Sequence, residues 1–346
     1  MQSTIPARPG MRPAALGAAA LGALITLSAC GSSGTSTGAG ASTAAASTSP
    51  GAAVTQITVY GSGSITGAPL RIAAEKGYFK AVGLDVKIVT SQSGQNLVPL
   101  LLNGQATIAS LDTPTTITAV GKNIPIVAIA PNEDGEGTAR GGIAVVAKSS
   151  SITSWASLAG KTIAVNVLQG TQQILTEASM HNAGVNSSSV KFVETGSPTA
   201  TIAALNSGRV DAALLPEPVL TTAIESGLHT VANPEQTTIP NVPAYVWDVS
   251  KSYAAAHPAV IKEFDQAILK ANAAATASPS LVNSMADTFL TPPEPIALLN
   301  RTHPFLWGTR PIDDADITTW ISLLQTYGGL SKSATPSAAD VFASSS

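Results

Sequence analysis

The sequence predicts an α/β protein made of two comparable lobes. Short β-branched runs alternate with longer helical segments from residue 54 onward, which is typical of sheets covered by crossover helices. The roughly 290 residues involved exceed what one core usually contains. The segment 102–109 also resembles 205–213, since in both a helix ends at Asn or Gly and a strand starts at once. Ordinary helix termination by glycine explains half of this likeness, and the remainder favours two related lobes.

The first series of elements alternates strands and helices with glycine-rich turns such as 61–67. Runs rich in Val, Ile and Thr predict strands, and longer periodic segments predict helices. Pro69 lies near the first turn of a helix, where its missing N–H costs nothing. The predicted strands are 56–60, 84–90, 106–110 and 124–130, and the predicted helices are 68–78, 96–103 and 115–120.

The second series begins after a connecting strand and ends with a return strand. Two amphipathic helices follow the return strand, and we expect them to pack back on the first lobe. The predicted strands are 141–148, 161–166, 190–194, 210–215, 229–232 and, for the return, 243–249; the predicted helices are 171–182, 199–206, 218–226, 259–277 and 313–326.

The single cysteine, Cys30, closes a short apolar segment. Arg8 and Arg12 precede an Ala/Leu-rich stretch that is short for a membrane span, and small residues flank the cysteine. This arrangement resembles the lipobox of bacterial lipoproteins, which implies cleavage before Cys30 and its acylation. The alternative is an unpaired cysteine with no such role. We therefore expect a signal peptide over 1–29, a flexible linker over 30–53, and an extracytoplasmic protein anchored to the membrane by lipid.

Charge and cysteine usage exclude several functions. Removing the signal peptide takes away two of 18 basic residues and none of 21 acidic ones, which leaves a formal charge of −5. This argues against a nucleic-acid partner. No second cysteine is present for a disulfide. The four histidines, at 181, 229, 257 and 303, lack metal-ligand spacing, so we predict neither a metal nor a cofactor.

Four motifs carry a family resemblance through their order and spacing. They are AEKGYFK at 74–80 leading into GLDV at 83–86, LNGQ at 102–105 leading into IA at 108–109, LAGKTIAV at 158–165, and GRVDA at 208–212. With these motifs the chain resembles the extracellular solute-binding proteins of ABC importers that handle sulfonates, nitrate, taurine or thiamine-pyrimidine precursors.

The resemblance implies a type II periplasmic-binding-protein fold, in which two α/β lobes joined by two strands close on a small solute. Lobe 1 would comprise 54–145 and 243–346, and lobe 2 would comprise 146–242. The implied partners are a small-molecule ligand, an ABC permease and its ATPase, and we expect a monomer that is not an enzyme.

Polar turns follow the predicted strands where a solute would bind. In open α/β sheets, ligands lie beyond the carboxyl ends of strands, and helix starts there present hydroxyl, amide and N–H groups that suit anions. The Ser62–Ala68 and Gln169–Gln172 turns are expected to hold opposite sides of the ligand. The candidate residues are Tyr60, Ser62, Gly63, Thr66, Gly67, Ala68, Gln92, Ser93, Asp112, Thr113, Gln169, Gly170, Thr171, Gln172 and Glu217.

Other roles stay open for several candidates. Thr66, Ser93, Asp112 and Thr171 are also ordinary N-cap residues, and Asp112 would repel an anion or pair with an amine. Glu217 matches a recurrent acidic or polar position of the family. It is either a helix-start carboxylate favoured by the dipole or a cleft residue that favours a ligand with a cation or hydrogen-bond donors.

The remaining cations are expected outside the site. Arg140 follows the acidic loop 133–136, which favours an ion pair. Arg71 and Lys76 are expected to be exposed on a helix face.

Aromatic residues make up only 4% of the chain, which argues against a long sugar-stacking groove. Tyr60, Tyr245 and Trp247 either stack on one ring of a ligand or belong to the core.

Competing functions fit the sequence less well. The glycines at 61–67 are spaced one residue too long for a dinucleotide fingerprint, and no acid follows the second strand. A hydrolase is not predicted, because the sequence lacks a Gly-x-Ser-x-Gly elbow. The enzymes related to this family depend on cysteines that are absent here. A surface-interaction protein stays an alternative.

Helix-start polarity favours a sulfonate-like anion, and the lack of Lys or Arg in the turns keeps a pyrimidine or riboflavin-type heterocycle open.

Overall fold

A computed structural model describes residues 54–91, 96–135, 142–217, 219–290, 305–334 and 336–343. They lie in one compact unit, Pro50–Ser346, whose strands form two five-stranded sheets. The predicted α/β class is confirmed. The strands are β1 (Thr55–Ser62), β2 (Leu84–Ser91), β3 (Ile108–Asp112), β4 (Ile126–Asp134), β5 (Ile143–Ala147), β6 (Thr162–Val165), β7 (Lys191–Glu194), β8 (Ala212–Pro216), β9 (His229–Ala232) and β10 (Pro243–Ser250).

The first sheet has the strand order β2-β1-β3-β10-β4. β1 pairs in parallel with β2 and with β3. β10 runs antiparallel between β3 and β4, with Tyr245 opposite Asp112. Because β10 is antiparallel to both neighbours, β1 to β4 all end at the same edge. That edge is where a ligand is expected in such sheets.

The second sheet has the order β7-β6-β8-β5-β9. β6 pairs in parallel with β7 and β8, whereas β5 pairs antiparallel with β8 and β9. The two sheets therefore share one plan: a parallel set of strands interrupted by one antiparallel strand that arrives from the other half of the chain.

Helices cover both sheets. They are α1 (Ala68–Glu75), α2 (Tyr78–Ala81), α3 (Val98–Leu102), α4 (Thr113–Gly121), α5 (Thr171–Asn182), α6 (Pro198–Asn206), α7 (Val219–Glu225), α8 (Lys251–Ala256), α9 (Pro258–Ala277), α10 (Pro279–Ala286), α11 (Asp314–Tyr327) and α12 (Ala338–Val341).

Apolar clusters lie on both faces of each sheet because side chains alternate along the strands. In β10, Trp247 belongs to the cluster that includes Phe264 of α9, whereas Val246 belongs to the cluster that includes Trp320 of α11. Helix α9 packs on α1 and β4, and α11 packs on α4, as predicted for the C-terminal helices. α11 also contacts α5, and Ile174 of α5 joins the same cluster.

Two glycines confirm the repeated helix endings. Gly104 and Gly208 follow α3 and α6 with φ of 77° and 72°, in the left-handed region where glycine avoids the cost of a Cβ.

Four helical segments differ from the sequence predictions. The helix predicted over 68–78 ends at Glu75, because Gly77 adopts φ of 71° and α2 starts after it. Helices α8, α10 and α12 were not predicted. Each is preceded by an N-cap serine whose side chain accepts a backbone N–H of the first turn. These serines are Ser250, Ser278 and Ser337.

Candidate functional site

The turn after β1 presents three linked hydroxyl groups. Ser62 Oγ lies 2.8 Å from Ser64 Oγ, which lies 2.9 Å from Thr66 Oγ1, and the Ser64 N–H donates to Ser62 Oγ at 3.0 Å. Three hydroxyl hydrogens serve two links, so one O–H donor of the chain is left for an outside acceptor. The Gly63 N–H donates to the carbonyl of Ser91, at the end of β2, at 3.0 Å.

Arg71 is buried beneath this turn, which corrects the prediction of an exposed position. Its Nη1 donates to the carbonyl oxygens of Ser62 and Gly67 at 3.2 and 3.0 Å. Its Nη2 donates to Thr90 Oγ1 at 2.8 Å, and its Cζ lies 3.7 Å from the ring centroid of Phe289. Only 9% of the residue is exposed. Burial lowers the pKa of the guanidinium to about 10, so it stays charged at neutral pH.

The turn is packed too tightly for larger residues at two of its glycines, Gly61 and Gly67. A Cβ on Gly67 would collide with the Ser62 carbonyl oxygen and with Nη1 of Arg71, and a Cβ on Gly61 would lie 2.5 Å from Leu70 Cδ2. Gly67 and the adjacent Ala68 are buried, and Tyr60 is half-buried against the cluster that contains Val246. Tyr60 therefore contributes to the core.

Asp112 joins the first sheet to helix α5. Its Oδ1 accepts the Thr115 N–H at 3.0 Å, and its Oδ2 accepts the Thr115 hydroxyl at 2.8 Å, so Asp112 is the N-cap of α4 as one prediction had it. The same Oδ1 also accepts the Thr171 hydroxyl at 3.2 Å. Thr171 is the first residue of α5 and does not cap it. The starts of α4 and α5 therefore lie side by side.

The loop before α5 is held by its own side chains. Gln169 adopts φ of 57°, and its N–H donates to Gln173 Oε1 at 2.9 Å. Gln172 Oε1 accepts the Asn166 N–H at 2.8 Å. Gly170 is the N-cap residue of α5 with extended backbone. In this arrangement the Gln172 amide oxygen braces the loop.

Two further candidates make internal hydrogen bonds. The Thr113 hydroxyl is buried and donates to the Pro243 carbonyl at 2.7 Å. Glu217 is 8% exposed, and its two carboxylate oxygens accept the N–H and the hydroxyl of Thr221 at 3.0 and 2.7 Å. These contacts favour the helix-start role of Glu217 at α7.

Tyr245 and nearby acids form the other part of this sheet edge. Tyr245 is 37% exposed, whereas Trp247 is fully buried and belongs to the core. The hydroxyl group of Tyr245 is nevertheless buried, and this burial, followed by the charges of Asp112, Glu133 and Glu235, raises the pKa of the phenol. The group of Asp112, Tyr245 and these acids, here called the acidic edge, has a polarity opposite to that of the turn above Arg71.

Some predicted residues lie outside the described part of the chain, namely Cys30, Gln92, Ser93 and Arg140. Lys76 is exposed, as predicted. Among the described residues, no three His, Cys, Asp or Glu side chains are grouped so that they could hold a metal ion. None of the described helices has both the length and the apolarity needed to cross a membrane.

Sequence reasoning missed the burial of Arg71. The available signal was its setting: Leu70, Ile72 and Ala73 around it are fully buried, and a helix that is apolar on all sides is an interior helix.

Solved structures define the class of protein to which this fold belongs. The periplasmic aliphatic sulphonate binding protein SsuA from Escherichia coli aligns with a TM-score of 0.66 and 16% identity, over 79% of this chain and 91% of that one. The alkanesulfonate-binding protein SsuA from Xanthomonas axonopodis pv. citri bound to MOPS aligns with a TM-score of 0.67 and 17% identity, over 84% and 99%. The fold is that of type II periplasmic binding proteins.

Sequence comparison then identifies the family. The taurine-binding periplasmic protein of Escherichia coli (strain K12) is 30% identical over 236 residues, which are 67% of this chain and 69% of that protein. The model of the NMT1/THI5-like family matches residues 65–281. The chain belongs to the NMT1/THI5-like family, and the resemblance to solute-binding proteins of ABC importers is confirmed. The three proteins compared are each named as binding proteins.

Proposed function

We propose that this protein is the membrane-anchored solute-binding component of an ABC importer. It captures a small sulfonate-like anion in the cleft between lobe 1 (54–145 and 243–346) and lobe 2 (146–242), and it delivers the anion to a permease. The protein is extracytoplasmic, monomeric and attached to the membrane through acylated Cys30. Family membership and the periplasmic location of the relatives support this function.

One observation carries the placement of the ligand between the sheets. The Thr171 hydroxyl donates to Asp112 Oδ1 at 3.2 Å, so the start of α5, after a strand of the second sheet, adjoins the start of α4, after a strand of the first. A solute held there meets the start of α5, which has no side-chain cap, whereas the start of α4 is capped by Asp112. Helix N-termini carry partial positive charge and favour anions.

The mechanism is a population shift. A solute that touches both lobes favours the closed form in proportion to its differential affinity for the closed and open forms. The permease then distinguishes the closed, loaded protein from the open one.

The proposed anionic ligand is supported by two features of the turn after β1. The linked hydroxyls of Ser62, Ser64 and Thr66 offer a hydrogen-bond donor, and Arg71 places a cation behind them. Two of the compared proteins are named for sulfonates and one for taurine, an aminosulfonate.

A heterocycle such as a thiamine-precursor pyrimidine or a riboflavin-type ring is the second candidate. The acidic edge favours it, because a partly exposed Tyr245 offers a ring face and the Asp112 carboxylate accepts hydrogen bonds from ring N–H groups.

A ligand panel tests the proposal on Pro50–Ser346, which is one compact unit. Thermal unfolding is measured with alkanesulfonates, taurine, nitrate, aminopyrimidines, riboflavin and amino acids. A true ligand at one hundred times its dissociation constant adds about 2.7 kcal/mol, which is a rise in Tm of a few degrees. We expect the rise with sulfonates. A rise with aminopyrimidines alone would replace the anion by the second candidate.

A valine variant tests the interlobe placement. Thr171→Val keeps the shape of the side chain but removes the hydroxyl that bonds Asp112. We expect its affinity for the sulfonate found in the panel to fall by about two- to tenfold, the range for one net hydrogen bond. The matched control is Thr326→Val on α11, whose hydroxyl bonds only Ser322 O at the surface. Unchanged affinity in Thr171→Val would contradict the placement.

The lipid anchor has a separate test. The full chain is expressed in a bacterial host with labelled palmitate, and membrane and soluble fractions are compared. We expect label in the membrane fraction, and we expect Cys30→Ser to remove both the label and the membrane attachment. Equal attachment of the two proteins would contradict an anchor on Cys30.

A further inference from the structure

Arg71 is deeply buried, and none of the carboxylates in the described part of the chain pairs with it. It is 9% exposed, and within the described residues the ion pairs all involve Arg310 instead. A buried cation is costly unless it is paired and hydrogen-bonded. Here neutral groups alone take its hydrogen bonds: two carbonyl oxygens and the Thr90 hydroxyl. The Phe289 ring face adds a cation–π contact. These contacts leave a net positive charge below the turn.

The hydrogen bonds of Arg71 also fix the shape of that turn. Nη1 joins the carbonyl of Ser62, at the end of β1, to the carbonyl of Gly67, immediately before α1. The three linked hydroxyls lie on the residues between these two anchor points. The charge is therefore held behind a turn whose three hydroxyl residues, Ser62, Ser64 and Thr66, are half-buried, not fully covered.

We propose that Arg71 is a positioning residue for the anionic group of the solute. That group binds at the turn Ser62–Gly67 and supplies a counter-charge that no described carboxylate provides there. This inference rests on the proposed function and adds which part of the cleft takes the anion. Arg71 acts through the turn and does not contact the solute. Its charge selects anions over neutral molecules of the same shape, and its fork of two Nη1 bonds keeps the hydroxyls in place.

The test compares methanesulfonate with dimethyl sulfone, a neutral molecule of similar shape, by calorimetric titration of Pro50–Ser346. Arg71→Met removes the charge, and Arg71→Lys keeps it. We expect Arg71→Met to lose about tenfold or more in affinity for methanesulfonate, since a charge a few ångströms away in a medium of intermediate dielectric has at least that effect. We expect Arg71→Lys to lose only a few-fold, although lysine cannot form the same fork.

Several results would overturn the inference. Equal losses in Arg71→Lys and Arg71→Met would mean that Arg71 only supports the fold, and unchanged affinity in a folded Arg71→Met would mean that its charge is irrelevant. If Arg71→Met does not fold, the wild-type comparison decides: binding of dimethyl sulfone as tight as that of methanesulfonate would refute the charge role. Wild-type protein that binds aminopyrimidines and no anion would refute the proposed ligand together with this inference.

Discussion

The turn above Arg71 and the acidic edge lie on neighbouring strands of one sheet, and they have opposite polarity. The turn follows β1, has a buried cation behind it and carries hydroxyls. The acidic edge follows β3 and includes Asp112 beside Tyr245. Because β1 and β3 pair directly, a solute at this edge experiences both fields. The charge of Asp112 is visible in its own turn, whereas the charge of Arg71 lies behind the turn Ser62–Gly67, whose sequence does not reveal it.

Replacing Gly67 by alanine disturbs the turn above Arg71. Gly67 has φ of −83°, which alanine adopts freely, so the only obstacle is the collision of a Cβ with the Ser62 carbonyl and Arg71. We expect a loss of about 1–3 kcal/mol in unfolding free energy and more than tenfold weaker binding of methanesulfonate. Urea denaturation and calorimetry measure the two effects.

The matched control is Gly329→Ala, where an added Cβ meets nothing within 4 Å. We expect its stability and affinity to match those of the wild type. If Gly67→Ala binds methanesulfonate as tightly as Gly329→Ala, the packed turn is not part of the anion site.

Replacing Asp112 by asparagine removes one negative charge from the acidic edge. Asparagine also caps helices well, so we expect little change in stability, whereas Asp112→Ala loses the cap and about 1 kcal/mol. We expect Asp112→Asn to bind methanesulfonate about two- to fivefold more tightly, because a repulsive charge near the surface contributes up to about 1 kcal/mol. Taurine, which also carries an ammonium group, is expected to gain less or to bind more weakly. Equal gains for both ligands would show that the acidic edge does not contact the ammonium end.

The sequence alone predicted the strands of both sheets to within a few residues, because β-branched runs such as 57–60 and 162–165 are short and bounded by turn residues. Helix α10 was missed although Ser278 and Pro279 are typical of a helix start. The burial of Arg71 depends on Thr90 in strand β2 and on Phe289 beyond α10. The apolar residues around Arg71 in α1 indicate an interior helix, but these two distant contacts have no local signature.

Within the candidate site, the sequence predicted which turns carry polar groups but not how those groups are used. Thr113 and Gln172 are polar residues in such turns, yet the Thr113 hydroxyl donates to the Pro243 carbonyl and the Gln172 amide oxygen accepts the Asn166 N–H. A hydroxyl or amide has the same local pattern whether it faces a solute or a carbonyl, so only the three-dimensional structure separates the two. The bond from Thr171 to Asp112 joins residues 59 positions apart and is equally invisible in the sequence.

A modest pH dependence of stability is expected from Asp134, at the end of β4 on the same sheet edge. Burial raises the pKa of this carboxyl to about 7; Arg310 opposes the rise and Asp316 adds to it. The folded protein therefore keeps a proton on Asp134 between about pH 4 and pH 7, where the unfolded chain has lost it. This contribution to stability is fully present below pH 4, declines as pH rises through 7, and is constant above that.

Urea denaturation of the wild type and Asp134→Asn at pH 5 and pH 8 measures it. We expect the wild type to lose on the order of 1 kcal/mol relative to Asp134→Asn over this interval, after allowance for solvent screening. A pH-independent difference between the two proteins would show that Asp134 titrates at its ordinary value, and this carboxyl would then be more hydrated than its burial indicates.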